Sequence, residues 1–274
     1  MSKKNNTLHV IEKEFKRLDE LAKANNWFDP RNPENYILSE IEYSFGKRSC
    51  YEIPKEKYEL YKDLQASRGL NQHIKTDVGN HIEEIKNEAL NFPRNAADIE
   101  RAQEIDKLFL SNSTKTFVEL GFRTPMLLEY YQKKYKTKVK GYDIVPINVM
   151  VAKYLNYDVN LYDLNLCKNK LKIPKDSVVA AYHVFEHLSD PLRAIKKVYE
   201  SLSEGSFFHI EVPVEEFSAP NLRYAHLFPF HKRDLYNMLA EAGFIILESS
   251  FSNYGNISLE MPLILSERHL AYKK

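Results

Sequence analysis

The densest run of reactive side chains in the sequence is Tyr182-His183-Val184-Phe185-Glu186-His187-Leu188-Ser189-Asp190-Pro191. Imidazoles are the usual general bases near neutral pH, and a neighbouring carboxylate can orient one or accept from a hydroxyl. The run follows Val178-Val179-Ala180-Ala181, which reads as a buried strand. It precedes Leu192, Ile195, Val198, Tyr199 and Leu202, which share one helix face. His183, Glu186 and His187 therefore leave the carboxyl end of a strand, where open α/β sheets bind ligands. A second group comprises His209, Glu211, Glu215, Glu216, His226 and His231. Their types would suit a divalent metal, but the spacing is loose and forms no compact ligand motif, so no metal is expected. The segment 214–230 is long for a loop and has the look of a functional lid. Within it, Arg223 suits a phosphate or carboxylate, and Tyr224 suits stacking on a sugar or aromatic ring.

The elements that must position these groups fall into two styles. From residue 116 onward, short apolar strands alternate with amphipathic helices. Strands are predicted at 116–120, 139–143, 158–162, 177–183 and 206–212, with helices at 125–135, 146–155, 191–203 and 232–242. Two closing strands, 244–251 and 257–265, have no helix between them. This grammar predicts an α/β, doubly wound, mostly parallel seven-stranded sheet with an antiparallel C-terminal hairpin. Residues 1–110 differ. Helical spacing marks 8–24, 55–67, 76–90 and 96–110, 36–54 is ambiguous, and nothing alternates convincingly like a sheet. They are read as an N-terminal helical extension, a lid or an oligomerisation element, ahead of a domain at 111–274.

The 274 residues are 43% apolar, so a substantial core is possible, and the net charge of +1 leaves no electrostatic footprint for nucleic acid. Cys50 and Cys167 lack metal-ligand spacing and point to a reduced, cytoplasmic setting. No signal peptide and no membrane span are expected.

In order along the chain, four pieces carry a resemblance. Phe117-Val118-Glu119-Leu120-Gly121 is a strand ending in an acidic, glycine-containing turn. Gly141-Tyr142-Asp143-Ile144 ends the next strand, and Tyr162-Asp163-Leu164 follows the third. The His183–Pro191 loop leads to Leu202-Ser203-Glu204-Gly205 and a strand ending at Pro213. Together they resemble the class I S-adenosylmethionine-dependent methyltransferases, particularly the branch acting on small molecules and sugars. The turn Gly121-Phe122-Arg123-Thr124-Pro125 departs from the family in holding one glycine where two or three are usual.

The resemblance implies a Rossmann-like fold and S-adenosylmethionine as cofactor. It implies that Glu119 and Gly121 meet the cofactor's methionine part, that Asp143 accepts from the ribose and Ile144 lies against the adenine, that Asp163 and Leu164 reach the adenine edge, and that His183 lines the methionine part. His187 is then the first candidate for general base, with Glu186 orienting it or binding a substrate hydroxyl, and His226 is the alternative base. The implied partner is a small-molecule acceptor, a sugar or nucleotide sugar, methylated on oxygen; a homo-oligomer through the extension is the remaining partner expectation. Two other readings stand beside it: an NAD-dependent sugar-nucleotide enzyme, which would lack its usual pyrophosphate turn, and a catalytically silent binding or scaffold protein.

Overall fold

The computed structural model describes residues 3–24, 33–63, 82–83, 85, 87, 90–93, 95–111, 113–215, 225–254 and 264–274. Its centre is a sheet of seven strands. In chain order these are β3 (Thr116–Leu120), β4 (Lys138–Asp143), β5 (Val159–Leu161), β6 (Ser177–Tyr182), β7 (Phe207–Pro213), β8 (Ile245–Tyr254) and β9 (Ile264–Tyr272). Across the sheet the order is β5-β4-β3-β6-β7-β9-β8. Five strands are parallel, and β9 inserts antiparallel between β7 and β8. The strand order reverses between β3 and β6, which places the ligand crevice at the carboxyl ends of those two strands.

Every residue of β3 and of β7 is buried, as expected for central strands covered on both faces. Helices α3 (Met126–Tyr135), α4 (Pro146–Tyr154), α5 (Pro191–Ser201) and α6 (Asp234–Ala242) alternate with the strands. Helix α5 starts as its sequence dictates. The Asp190 carboxylate accepts from the Arg193 N–H at 3.1 Å, and Pro191 occupies the first turn. Leu192, Ile195 and Val198 are buried on its inner face.

The first ninety-odd residues are not helical throughout. Helix α1 (Lys3–Ala24) sets Ile11 and Leu18 against Ile147 and Val151 of α4. The ambiguous stretch that follows forms an antiparallel hairpin, β1 (Ile37–Tyr43) and β2 (Gly46–Glu52). Its exposed Ile37 and Leu38 break the alternation that would have marked a strand. The hairpin is tied to the main domain by Arg48, which donates to both oxygens of Asp234 at 2.7 and 2.5 Å. Of the two helices expected next, residues 58–63 are helical, and most of 76–90 lies outside the described residues. Helix α2 (Ala96–Leu110) contributes Ala102, Ile105 and Phe109 to the core cluster that holds Phe117 and Val178 of β3 and β6.

The last strand is displaced from its expected place. The partner of β8 is Ile264–Tyr272 rather than 257–265, and residues 255–263 lie outside the described set. The cause is a buried ionic network that an apolar-run criterion passes over. Ser266, Glu267, Arg268 and His269 are all at most 2% exposed. Arg101 grips Glu211 on β7 at 2.5 and 2.9 Å, and Arg268 reaches the same carboxylate at 3.3 Å and Glu104 at 2.9 Å. His209 bridges the Tyr182 hydroxyl at 2.5 Å and Glu104 at 2.6 Å, so it is a satisfied strand histidine. Burial opposes ionisation of Glu211, but His183 and Arg101 outweigh it and hold the carboxyl far below the usual range. Replacing Glu211 with Gln removes the carboxylate that Arg101, Arg268 and His183 share, while Arg101 keeps the longer 3.4 Å contact to Asp98. Urea unfolding of Glu211→Gln is expected to show a loss of about 3–5 kcal/mol.

Candidate active site

On the cofactor side, Gly121 leaves β3 with φ +69 and donates its N–H to the Tyr142 carbonyl at 2.7 Å. A Cβ at this position would come within 2.5 Å of the Val184 side chain, so the turn and the β6 loop pack directly on each other. Arg123 stands two residues on, where a second glycine would be usual, and it too takes a left-handed conformation, φ 44. The missing glycine is thus replaced by a strained arginine backbone, whose N–H donates to Asp143 Oδ2 at 2.9 Å.

Glu119 is 7% exposed, and its Oε2 has no hydrogen-bond partner among the described residues. Burial, aided by the nearby Asp143, pushes its carboxyl well above the usual range. Asp143 Oδ1 accepts from the Val145 N–H at 2.7 Å and from Asn148 at 3.3 Å. A carboxylate has roughly four acceptor positions, so one remains on Oδ2 for a ribose hydroxyl. These groups fit a cationic, ribose-bearing cofactor: a buried carboxyl with one oxygen unpartnered among the described residues for its ammonium, and beside it a carboxylate with one acceptor position left.

Asp163 and Leu164 are more fully committed than the sequence reading supposed. Asp163 accepts from the Tyr58 hydroxyl at 2.8 Å and from the N–H groups of Asn165 and Leu166. The Leu164 side chain is buried in the main core. Ile144 packs beside the α1–α4 cluster.

In the loop that follows β6, His183 has φ 55, and its ring sits between two carboxylates, Nδ1 at 3.4 Å from Glu186 and Nε2 at 3.3 Å from Glu211. Burial lowers its pKa, but the two carboxylates prevail and it is pushed up to about 9. His183 is therefore an imidazolium at neutral pH, and not a proton acceptor. Glu186 and His187 lie on a 3-10 turn, Phe185–His187. Glu186 is 1% exposed. Burial disfavours its charge, but His183 foremost holds its carboxyl below the usual value. His187 donates Nδ1–H to the Ala225 carbonyl at 3.0 Å, and burial keeps its ring neutral. Glu186 lies 3.4 Å from His183, and among the described residues no hydrogen bond joins it to His187.

His226 arrives from the later loop and is only 8% exposed. Its Nδ1 donates to Glu215 Oε1 at 2.8 Å, and its ring meets that of His187 edge-on at 5.2 Å between centroids. The two parts of the site are stitched together by backbone: the Glu186 carbonyl accepts from Leu227 and Phe228, and the Leu227 carbonyl accepts from Tyr51 of β2. Arg223 and Tyr224 lie outside the described residues.

The profile of a methyltransferase domain family matches residues 94–249, more than half of the chain. The chain belongs to this methyltransferase family. Its cofactor is accordingly S-adenosylmethionine, the group that the Glu119–Gly121–Asp143 cradle fits. Among solved structures, the [4+2]-cyclase SpnF covers 70% of the methyltransferase and 92% of its own chain at 12% identity, with a TM-score of 0.50. An S-adenosylmethionine-dependent methyltransferase from Clostridium acetobutylicum covers 71% and 99% at 13% identity, with a TM-score of 0.49. One from Methanosarcina mazei covers 60% and 96% at 14% identity, TM-score 0.47. No curated protein matches the methyltransferase. The family match begins at residue 94, just ahead of α2.

Two residues of the site carried no sequence signal for their roles. Glu215 orients His226 from eleven residues away, and Tyr58 reaches Asp163 across 105 residues. Both pairings exist only in the folded chain.

Proposed function

We propose that this methyltransferase O-methylates a small polar acceptor, a sugar, sugar nucleotide or polysaccharide precursor, and that His226 takes the proton from the acceptor hydroxyl. The observation that carries the reading is the Glu215–His226 pair, set beside His187 and Glu186 in the loop that packs on the cofactor turn.

The cofactor supplies a methyl group on a positively charged sulfur. Glu119 would hold its ammonium and Asp143 its ribose, while the left-handed Gly121 lets the backbone approach it. A hydroxyl acceptor needs help losing its proton, because its own pKa is far above 7. Glu215 fixes the His226 tautomer with Nδ1 protonated, which leaves Nε2 as the acceptor, and stabilises the imidazolium that forms. His187, held by the Ala225 carbonyl, presents Nε2 in the same way but lacks a carboxylate behind it. The order of candidates from sequence, His187 before His226, is therefore reversed in this reading. Arg223 and Tyr224 are assigned to the acceptor.

The hairpin and Tyr58 serve as a clamp, since they grip the Leu227 carbonyl and Asp163, and a second copy of the chain is proposed to dock on this extension. Cys50 and Cys167 are free thiols, in keeping with a cytoplasmic site of action. No described helix is long and apolar enough to cross a membrane.

Calorimetry with S-adenosylmethionine, S-adenosylhomocysteine and NAD tests the cofactor side. The first two are expected to bind and NAD is not. A screen of sugar nucleotides for S-adenosylhomocysteine release then tests the acceptor. Turnover on amines or thiols alone would overturn the oxygen assignment.

A further inference from the structure

The acceptor side holds more than a base. Glu186, His187 and His226 each bring one donor atom within 4.8 Å of the other two. Among the described residues no other set of three histidine, cysteine or acidic side chains converges in this way. An ion with bonds of about 2.1 Å sets neighbouring donors roughly 3.0–3.5 Å apart, so closure on one needs shifts of about 1 Å.

Further observations separate this cluster from a chance meeting of polar groups. Both histidines have Nδ1 facing an oxygen that can only accept, the Ala225 carbonyl and the Glu215 carboxylate. Each must therefore carry its proton on Nδ1, and the nitrogen left for a metal on both rings is Nε2. A carboxylate or carbonyl behind the far nitrogen of a ligating histidine is the usual outer support of a metal site. In addition, Glu186 is 1% exposed and neither of its carboxylate oxygens has a hydrogen-bond partner among the described residues, with only the long 3.4 Å contact to His183 beside it. The His183 imidazolium is shared with Glu211 at 3.3 Å, so a second cation would complete the charge around this buried carboxylate.

We infer that Glu186, His187 and His226 bind a divalent first-row transition-metal ion, with Glu215 and the Ala225 carbonyl fixing the two imidazoles. Two nitrogens and one carboxylate favour manganese, iron, cobalt or zinc over magnesium or calcium, which prefer all-oxygen shells. Three protein donors leave coordination positions open, and an acceptor hydroxyl bound there loses its proton to water more readily. The ion would then take over the deprotonation assigned above to His226. Metal binding itself stands without the O-methylation reading, because it is measured with neither cofactor nor acceptor present.

The test is a cobalt titration of the untagged, chelator-stripped full chain, followed by visible absorption, with zinc content counted by mass spectrometry after dialysis. One equivalent of each metal is expected. Glu186→Gln, His187→Ala and His226→Ala should each lose the cobalt bands, and Glu215→Gln should weaken binding roughly 10–100-fold. His9→Ala, at an exposed histidine of α1, should bind as wild type does. Circular dichroism checks that each variant folds; if a ligand variant does not, the Glu215→Gln affinity decides. Failure of the wild-type chain to take up a stoichiometric ion, or unchanged affinity in Glu215→Gln, would overturn the site.

Discussion

His226→Ala is expected to lower kcat by about 10²–10⁴-fold on the true acceptor, the range that removal of a positioned general base costs. The loss should fall on turnover. The residues proposed to hold the cofactor lie at the ends of β3 and β4, and His226 is not among them, so S-adenosylmethionine affinity should stay within a few-fold of wild type. Glu215→Gln is the sharper companion. A glutamine can still accept from Nδ1–H, so the His226 tautomer survives, but the negative charge that stabilises the imidazolium is gone. Its kcat should fall by less than that of His226→Ala, with KM little changed. His187→Ala removes a ring whose Nδ1 meets the Ala225 carbonyl and should cost less than His226→Ala if the ring is neither the base nor a ligand to a catalytic ion. Single-turnover assays with saturating cofactor separate these cases. A His226→Ala enzyme that retains turnover within a few-fold of wild type would rule out His226 both as base and as ligand to a catalytic ion.

The sheet was legible because its buried strands are apolar runs such as Val178–Ala181, and because helix α5 opens on Asp190-Pro191, whose capping chemistry is local. The loop from His183 to His187 could be placed at a strand end for the same reason. What could not be read depends on partners distant in sequence. Strand β9 carries Ser266-Glu267-Arg268-His269 through the interior, and partners from other elements, among them Glu211, Glu104, Glu100, Ser249 and the Arg233 N–H, make that burial tolerable. The hairpin β1–β2 hides for a related reason: it rests one face on the domain through Tyr43 and Cys50, and Ile37 and Leu38 remain exposed. In the site, the residue types were visible from the start. Their pairing was not, since it is Glu215 that meets His226, Glu186 that meets His183, and a backbone carbonyl that holds His187. Loose spacing along the chain argued against a metal, yet the fold brings Glu186, His187 and His226 within 4.8 Å.

Glu119→Gln should move stability and cofactor binding in opposite directions. In the free protein the Glu119 carboxyl is buried beside Asp143, its Oε2 lacks a hydrogen-bond partner among the described residues, and both burial and the neighbouring charge raise its pKa well above the ordinary value. A raised carboxyl pKa means that the folded chain holds the proton more tightly than the unfolded chain. The stability this contributes is complete below the unfolded value, near 4.5, and drains away as pH rises toward the folded value. Glutamine never ionises and escapes that loss. Thermal melts should therefore show Glu119→Gln matching wild type near pH 4.5 and exceeding it at pH 8, by on the order of 1–3 kcal/mol. Cofactor binding runs the other way. An ammonium placed against Glu119 draws the carboxylate into its charged form, so the wild-type chain should release a proton on binding and bind more tightly as pH rises. The variant keeps a hydrogen-bond acceptor but loses the charge, a difference of about 1.5–3 kcal/mol for such a contact. Its affinity for S-adenosylmethionine should fall roughly 10–100-fold at pH 8 and vary little with pH. Calorimetry in buffers of different ionisation enthalpy reads the released proton directly. A variant more stable than wild type that binds the cofactor equally well would show that Glu119 carries its burial for some other partner.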